Sequence, residues 1–256
     1  MNWFKRWLSP ESETAQIPEV DWTSAEAGLD FLERLDAASR ERLRVMALAF
    51  LQRKEFAGAH GLEVSASMRL SIALQACLPV LELGLDAYAG WVGIVVYPGD
   101  FVIPRQETDE TGVVHEYGEP ALGAALEGGP VLISWFEDRD DYEGANVVIH
   151  EFAHKLDMLA GEADGCPPLH GDMSEEDWDS AFGEAYDDFC DRLDSGEETA
   201  IDPYAGETPA EFFAVLSEVF FVDPDLLLAE YPAVYEQLHR FYRQDPAVPG
   251  QVEART

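Results

Sequence analysis

His150-Glu151-Phe152-Ala153-His154, set between Asn146-Val147-Val148-Ile149 and Lys155-Leu156-Asp157, is the stretch from which the rest of this chain can be read. The run reads as a helix. Residues four apart lie on one helical face, so both imidazoles can reach a single ion. Glu151 follows the first His directly, where its carboxylate approaches a water on that ion rather than the ion itself. This is the H-E-x-x-H spacing, in which the Glu acts as general base of a metal-dependent hydrolase. The competing reading is a surface helix that carries two His and a Glu by coincidence. Against it stand Val147, Val148, Ile149 and Phe152, which mark the helix as largely buried. Two buried His beside a buried Glu need partners, and a metal satisfies all three.

A catalytic zinc takes three protein ligands and keeps a fourth position open. A third His from the longer pattern H-E-x-x-H-x-x-G-x-x-H is excluded, because Asp157 and Ala160 stand where Gly and His are required. The remaining common solution is a Glu from a later helix, with candidates in Glu207–Glu218. Thr208, Pro209 and Glu211 have capping-box spacing with Pro at the first helical position, so Glu211 also has a purely structural reading. The surrounding helix is strongly apolar, and a carboxylate on a buried helix needs a partner. Glu211 is therefore the preferred third ligand. Glu218, on the same face, is second, with a supporting role or an Arg partner as its alternatives. Asp157, three residues after His154, either orients a ligand imidazole or faces solvent.

Composition narrows the function classes. Acidic residues number 51 against 16 basic ones, for a net charge of −35, and Lys occurs only at positions 5, 54 and 155. Such a field repels phosphate backbones and argues against nucleic-acid binding. The acid excess is spread along the chain, as in a solvated surface; adaptation to a saline cytoplasm and simple cytosolic acidity both account for it. Cys77, Cys166 and Cys190 are odd in number and widely spaced, which signals neither a disulfide framework nor a thiolate metal site. Cys77 lies in an apolar run and is expected in the core. No stretch is long enough to span a membrane and the N-terminus lacks an apolar signal core, so a cytoplasmic location is expected.

Along the chain, residues 1–20 read as a flexible tail and 247–256 as a second one, around a single domain at 21–246. Its first part, 21–90, is helical: a helix at Glu41–Lys54 capped by Asp36 or Ser39, then another at Ala66–Leu78. Its second part, 91–246, starts with β-rich runs at Trp91–Tyr97, Phe101–Ile103, Val113–Tyr117 and Val131–Phe136. The last of these is expected as the edge strand that pairs with an extended peptide, or else as an ordinary core strand. A turn at Asp138–Glu143 leads into the motif helix, and a loop at Gly161–Gly171 leaves it. Helices follow at about Ser174–Leu193, Thr208–Phe221 and Tyr231–Tyr242. The class is α+β, a small mixed sheet packed with an active-site helix between helical N- and C-terminal regions. His60, His115, His170 and His239 carry no motif.

The chain resembles the Mlc titration factor A peptidases of bacteria. The likeness runs from about residue 40 to 246. It includes CLPVLELGLD at 77–86, Val96-Tyr97-Pro98, IHEFAHKLD at 149–157, Ile201-Asp202 with Tyr204-Ala205, and PAEFFAVLSEVFF at 209–221. Pro232, Phe241-Tyr242 and Gln244-Asp245-Pro246 complete it. The resemblance implies a zincin-like fold similar to the protease domain of anthrax lethal factor, with zinc (Zn2+) as cofactor. It implies His150, His154 and Glu211 as metal ligands, Glu151 as catalytic base, and Tyr204 beside the metal, donating to the developing oxyanion. It also implies aminopeptidase-type hydrolysis of a peptide substrate and an Mlc-like repressor as protein partner. The alternative is a regulatory binding module that sequesters a repressor, its zinc mainly structural. Extreme acidity and the terminal tails set this chain apart from its relatives.

Overall fold

The computed structural model describes residues 19–108, 114–136 and 146–248. In chain order its elements are α1 (Glu19–Glu26), α2 (Ala37–Arg53), β1 (Glu55–Gly58), α3 (Ala66–Cys77), β2 (Gly93–Tyr97), β3 (Phe101–Thr108), β4 (Val114–Ala121), β5 (Gly123–Ala125), β6 (Val131–Ser134), α4 (Val147–Asp157), α5 (Glu175–Asp194), α6 (Pro209–Val222), α7 (Pro224–Glu230) and α8 (Pro232–Tyr242). Residues 1–18 and 249–256, most of the two expected tails, lie outside the described residues, as does the expected turn at 138–143. No helix among the described residues is long and apolar enough to cross a membrane.

The helices start where the sequence supplies a side-chain acceptor for the free amides of the first turn. Asp36 accepts from the Ser39 N–H at 2.7 Å to open α2, and Ser65 accepts from Met68 to open α3. Thr208 accepts from the Glu211 N–H at 3.1 Å to open α6. Pro stands at the start of α6, α7 and α8, where its missing N–H has no helical partner to lose.

The main sheet has the order β1-β2-β6-β5. β1, β2 and β6 run parallel, and β5 pairs antiparallel with β6, so the sheet is mixed. Ile94, Val96, Val131 and Ile133 are fully buried and form its apolar face. Strands β3 and β4 form a separate antiparallel ribbon between β2 and β5 in the chain, in register from Phe101 opposite Ala121 to Thr108 opposite Val114. The expectation that residues 131–136 form the edge is overturned. β6 is flanked on both sides, and β1 and β5 are the edges, β5 being the one beside β6. Three small residues, Gly123-Ala124-Ala125, lack the β-branched or aromatic side chains that mark a strand in sequence.

Helix α4 packs against α3, α6 and the β5–β6 side of the sheet, so most of its residues are buried. Phe152, fully buried, anchors it among Phe50, Tyr88 and Trp91, with ring centroids 5.7, 5.0 and 5.6 Å away. Truncating such a ring to Ala costs about 3–5 kcal/mol, enough to threaten a marginally stable domain. Helix α6 is held from behind by α5: Phe212 and Phe213 pack against Trp178, Phe182 and Phe189. Two helices with buried aromatic roots therefore face each other, and the polar residues on their facing sides have fixed positions.

Candidate metal centre

Asn146 opens α4 by accepting from the Ile149 N–H at 2.9 Å, while its amide Nδ2 donates to Gln75 Oε1 on α3, also at 2.9 Å. This cap sets the first turn of the helix that carries His150, Glu151 and His154. All three are buried. Glu211 reaches them from the first turn of α6. Its Oε2 lies 2.9 Å from His150 Nε2 and 3.2 Å from His154 Nε2, and the two Nε2 atoms are 3.1 Å apart. The Thr208 cap uses only the Glu211 backbone amide, which leaves the Glu211 side chain for the imidazoles. The helix cap and the contact with the two imidazoles thus belong to different atoms of Glu211.

Glu218, one further stretch along α6, does not face that trio. Its Oε1 lies 2.6 Å from His150 Nδ1, and its Oε2 accepts from the Asn146 N–H at 2.6 Å. It fixes the far side of the imidazole that Glu211 meets on the near side. Burial alone lowers the His150 pKa, but the hydrogen bonds to Glu211 and Glu218 outweigh it and hold it well above the ordinary imidazole value. Burial likewise works to raise Glu211, yet the two His hold its carboxyl well below the usual carboxylate range.

Glu151 is sealed under the edge strand. An added Cβ at Gly123 would lie 2.2 Å from Glu151 Oε1, so only glycine lets β5 approach this closely. The Ala125 backbone amide lies near the Glu151 carboxylate and favours its charged form. Glu151 Oε2 is buried without a hydrogen-bond partner among the described residues. Burial, only partly opposed by His150, pushes its pKa up to about 8.

Asp157 does something other than orient an imidazole. It is 1% exposed, so the solvent-facing reading is also excluded. Its Oδ2 accepts from the Gly165 N–H at 2.9 Å, and His154 Nδ1 has no hydrogen-bond partner among the described residues. Gly165 packs so tightly on the start of α6 that a Cβ there would meet the Pro209 carbonyl oxygen at 2.5 Å. Asp157 thereby braces the helix end that carries Glu211. Burial raises its pKa to about 6.

Tyr204 sits in a 3-10 turn, Pro203–Gly206, capped by Asp202 through the Tyr204 N–H at 2.9 Å. Tyr186 of α5 donates to the Gly206 carbonyl at 3.0 Å and holds the turn down. The Tyr204 ring centroid is 6.1 Å from that of His150, and the side chain is 47% exposed, at the rim of the cluster rather than inside it. Of the His without a motif, His170 and His239 bond to the carbonyls of Phe241 and Gln244. Cys77 is fully buried, and all three Cys are free.

Residues 2–243 match the family model described as glucose-regulated metallo-peptidase M90. This chain belongs to the M90 metallo-peptidase family. Among its relatives, a Mlc titration factor A from Serratia proteamaculans (strain 568) is 38% identical over 252 residues, covering 96% of this chain and 94% of the relative. Those from Salmonella typhi and Klebsiella pneumoniae subsp. pneumoniae are each 36% identical, over 249 and 240 residues. They cover 94% and 92% of this chain, and 92% and 89% of the relatives.

An M90 peptidase needs a metal ion, and the cluster fits one. His150, His154 and Glu211 form the one such group of His, Cys, Asp and Glu side chains found among the described residues. Donors at 2.0–2.1 Å from a tetrahedral ion stand roughly 3.3 Å apart. The three observed separations of 2.9–3.2 Å are close to that. Glu218 on His150 Nδ1 favours the tautomer whose Nε2 lone pair would be free to hold an ion.

Gln75, Asn146, Gly123, Ala125 and Lys155 surround the cluster and were not singled out from the sequence. Asn146 had a legible signal, as a cap residue immediately before the motif helix. Lys155 follows His154 directly and shares a helix face with Glu151, whereas Gln75, Gly123 and Ala125 become neighbours of the site only through tertiary pairing.

Proposed function

We propose that this protein is a zinc-dependent peptidase of the aminopeptidase type, built on a zincin-like catalytic domain spanning residues 21–246 and working in the cytoplasm. The observation that carries the reading is the meeting of His150 Nε2, His154 Nε2 and Glu211 Oε2 within 3.2 Å of one another, with the buried Glu151 beside them. Two imidazoles and a carboxylate form a donor set suited to zinc in a catalytic site.

When bound, the ion supplies a Lewis acid and makes a water acidic enough to lose its proton near neutral pH. Glu151 takes that proton and returns it to the leaving amine, and the burial that raises its pKa suits it to both transfers. The nearby Ala125 backbone amide favours the charged carboxylate of Glu151. Tyr204, at the rim, donates its phenolic hydrogen to the oxygen on which negative charge develops. Strand β5, as the sheet edge beside Glu151, offers backbone groups to an extended peptide substrate.

A panel of chromogenic aminoacyl substrates tests this with metal-replete protein. Hydrolysis by the wild type, lost by about 100-fold or more in Glu151→Gln, is the expected result. Equal turnover by both proteins would overturn it. A second reading draws on the relatives, whose name presents them as titrating Mlc. In that reading the chain binds a repressor of the Mlc type, and the ion mainly shapes the binding surface. Absence of hydrolysis in wild-type protein with metal bound, together with repressor binding unchanged in Glu151→Gln, would favour it.

A further inference from the structure

We infer that Lys155 is a positioning residue: it clamps the β5–β6 hairpin onto α4 and so sets the height of β5 over Glu151. The consequence for turnover rests on the peptidase reading; the clamp itself rests on geometry alone.

Of the three Lys in the chain, Lys54 and Lys155 are buried. In a protein with 51 acidic residues, neither forms an ion pair with a carboxylate among the described residues. Both ammonium groups bind backbone carbonyls instead. Lys155 Nζ donates to the carbonyls of Leu126 and Gly129, the latter at 2.9 Å, in the turn that joins β5 to β6. Lys54 Nζ donates to the carbonyls of Tyr88 and Trp91 at 2.7 and 2.6 Å. Trp91 accepts both cations on its ring, with Nζ–centroid distances of 3.3 Å for Lys54 and 4.9 Å for Lys155.

An ammonium costs free energy to bury, and a Met would fill the same space more cheaply, so packing alone does not account for Lys155. Its spacing does. Glu151 and Lys155 are four residues apart and share one face of α4. Glu151 meets the hairpin at Gly123 and Ala125, and Lys155 meets it at Leu126 and Gly129. One helical turn of α4 therefore grips both the edge strand and its turn. The clearance over Glu151 admits no Cβ at Gly123, so a displacement of β5 by an ångström changes where the carboxylate stands.

Lys155→Met tests the clamp, with Lys54→Met as a control that leaves the hairpin bonds in place. Amide hydrogen exchange, bound metal, kcat and KM are measured together. In Lys155→Met, residues 123–130 are expected to exchange at least about 10-fold faster while α4 and α6 stay protected and the metal stays bound. On a substrate the wild type cleaves, kcat is expected to fall about 100-fold with KM little changed. Lys54→Met should leave hairpin exchange as in wild type. Unchanged hairpin protection in Lys155→Met, or exchange rising equally through α4 and α6, overturns the inference. Should Lys155→Met not fold, selective 15N-lysine labelling of the wild type decides: a slowly exchanging Lys155 ammonium supports the clamp, and one exchanging at the rate of free lysine overturns it. A loosened hairpin in a protein that hydrolyses nothing even as wild type would remove the peptidase reading and leave the clamp standing.

Discussion

Glu218 Oε1 and His150 Nδ1 lie 2.6 Å apart, joining α6 to α4 across 68 residues of chain. The same Glu218 holds the Asn146 N–H with its other oxygen, so one carboxylate orients the His150 imidazole and ties down the start of its helix. Glu218→Gln keeps the shape but weakens the acceptor. Metal affinity, measured by competition with a chelator, is expected to fall about 10- to 100-fold in this variant with the fold retained. Wild-type affinity would show that the pairing serves the fold alone.

Gly123→Ala places a methyl where the Glu151 carboxylate stands. Either the strand or the carboxylate must move, while His150, His154 and Glu211 keep their places. Hydrolysis is expected to drop about 100-fold with bound metal unchanged. Full activity in a well-folded Gly123→Ala protein would show that Glu151 needs no such enclosure.

Proton linkage gives a pH test in the metal-free protein. His150 there lies between two carboxylates and its pKa is raised well above the ordinary value, so an incoming ion must displace a proton. Below that raised pKa, calorimetry in buffers of different ionisation enthalpy should register about one proton released per ion from this residue. Affinity should fall as pH drops. Binding heat independent of the buffer would contradict this.

Glu151 gives a second pH test, again in the metal-free protein. Its pKa rises on folding from an ordinary carboxyl value to about 8, so the folded state binds the proton more tightly than the unfolded state. The associated stability is present below the unfolded pKa and is lost as pH rises towards 8. Glu151→Gln removes this loss. The variant is expected to exceed wild type in stability near pH 8–9 by on the order of 1–3 kcal/mol, with a smaller difference near pH 5. Denaturant melts at the two pH values check the sign.

The net charge of −35 predicts a salt response. Screening relieves repulsion among surface carboxylates, such as those along the exposed face of α5, so the melting midpoint should rise from low to molar KCl. A flat or falling midpoint would remove saline adaptation from the account.

The sequence carried the motif helix, its burial, the cap at Thr208, Asp36 as one of two candidate caps of α2, and the α+β class, because these depend on neighbours within a few residues. The approach of Glu211 to His150 and His154 followed from the chemical need of a buried carboxylate for a partner. The edge strand did not emerge, since Gly123-Ala124-Ala125 becomes a strand only by pairing with β6. Strand β1 was missed for a related reason: Glu55–Gly58 is short and mostly exposed, directly after a long helix. The spacing of Asp157 left it either an imidazole partner or a solvated residue, whereas its partner is a loop amide eight residues on, placed by a glycine with φ of +88°. Helical spacing shows which residues share a face; which neighbour that face meets depends on loops and pairings with no local signal.

Whether His150, His154 and Glu211 hold a zinc ion is decided by bound-metal stoichiometry in metal-replete wild-type protein, Glu211→Ala and Glu151→Gln. One zinc per chain is expected in the wild type, with loss of that ion in Glu211→Ala and its retention in Glu151→Gln. Zinc retained at wild-type affinity in a folded Glu211→Ala protein, or no zinc in the wild type, would contradict this.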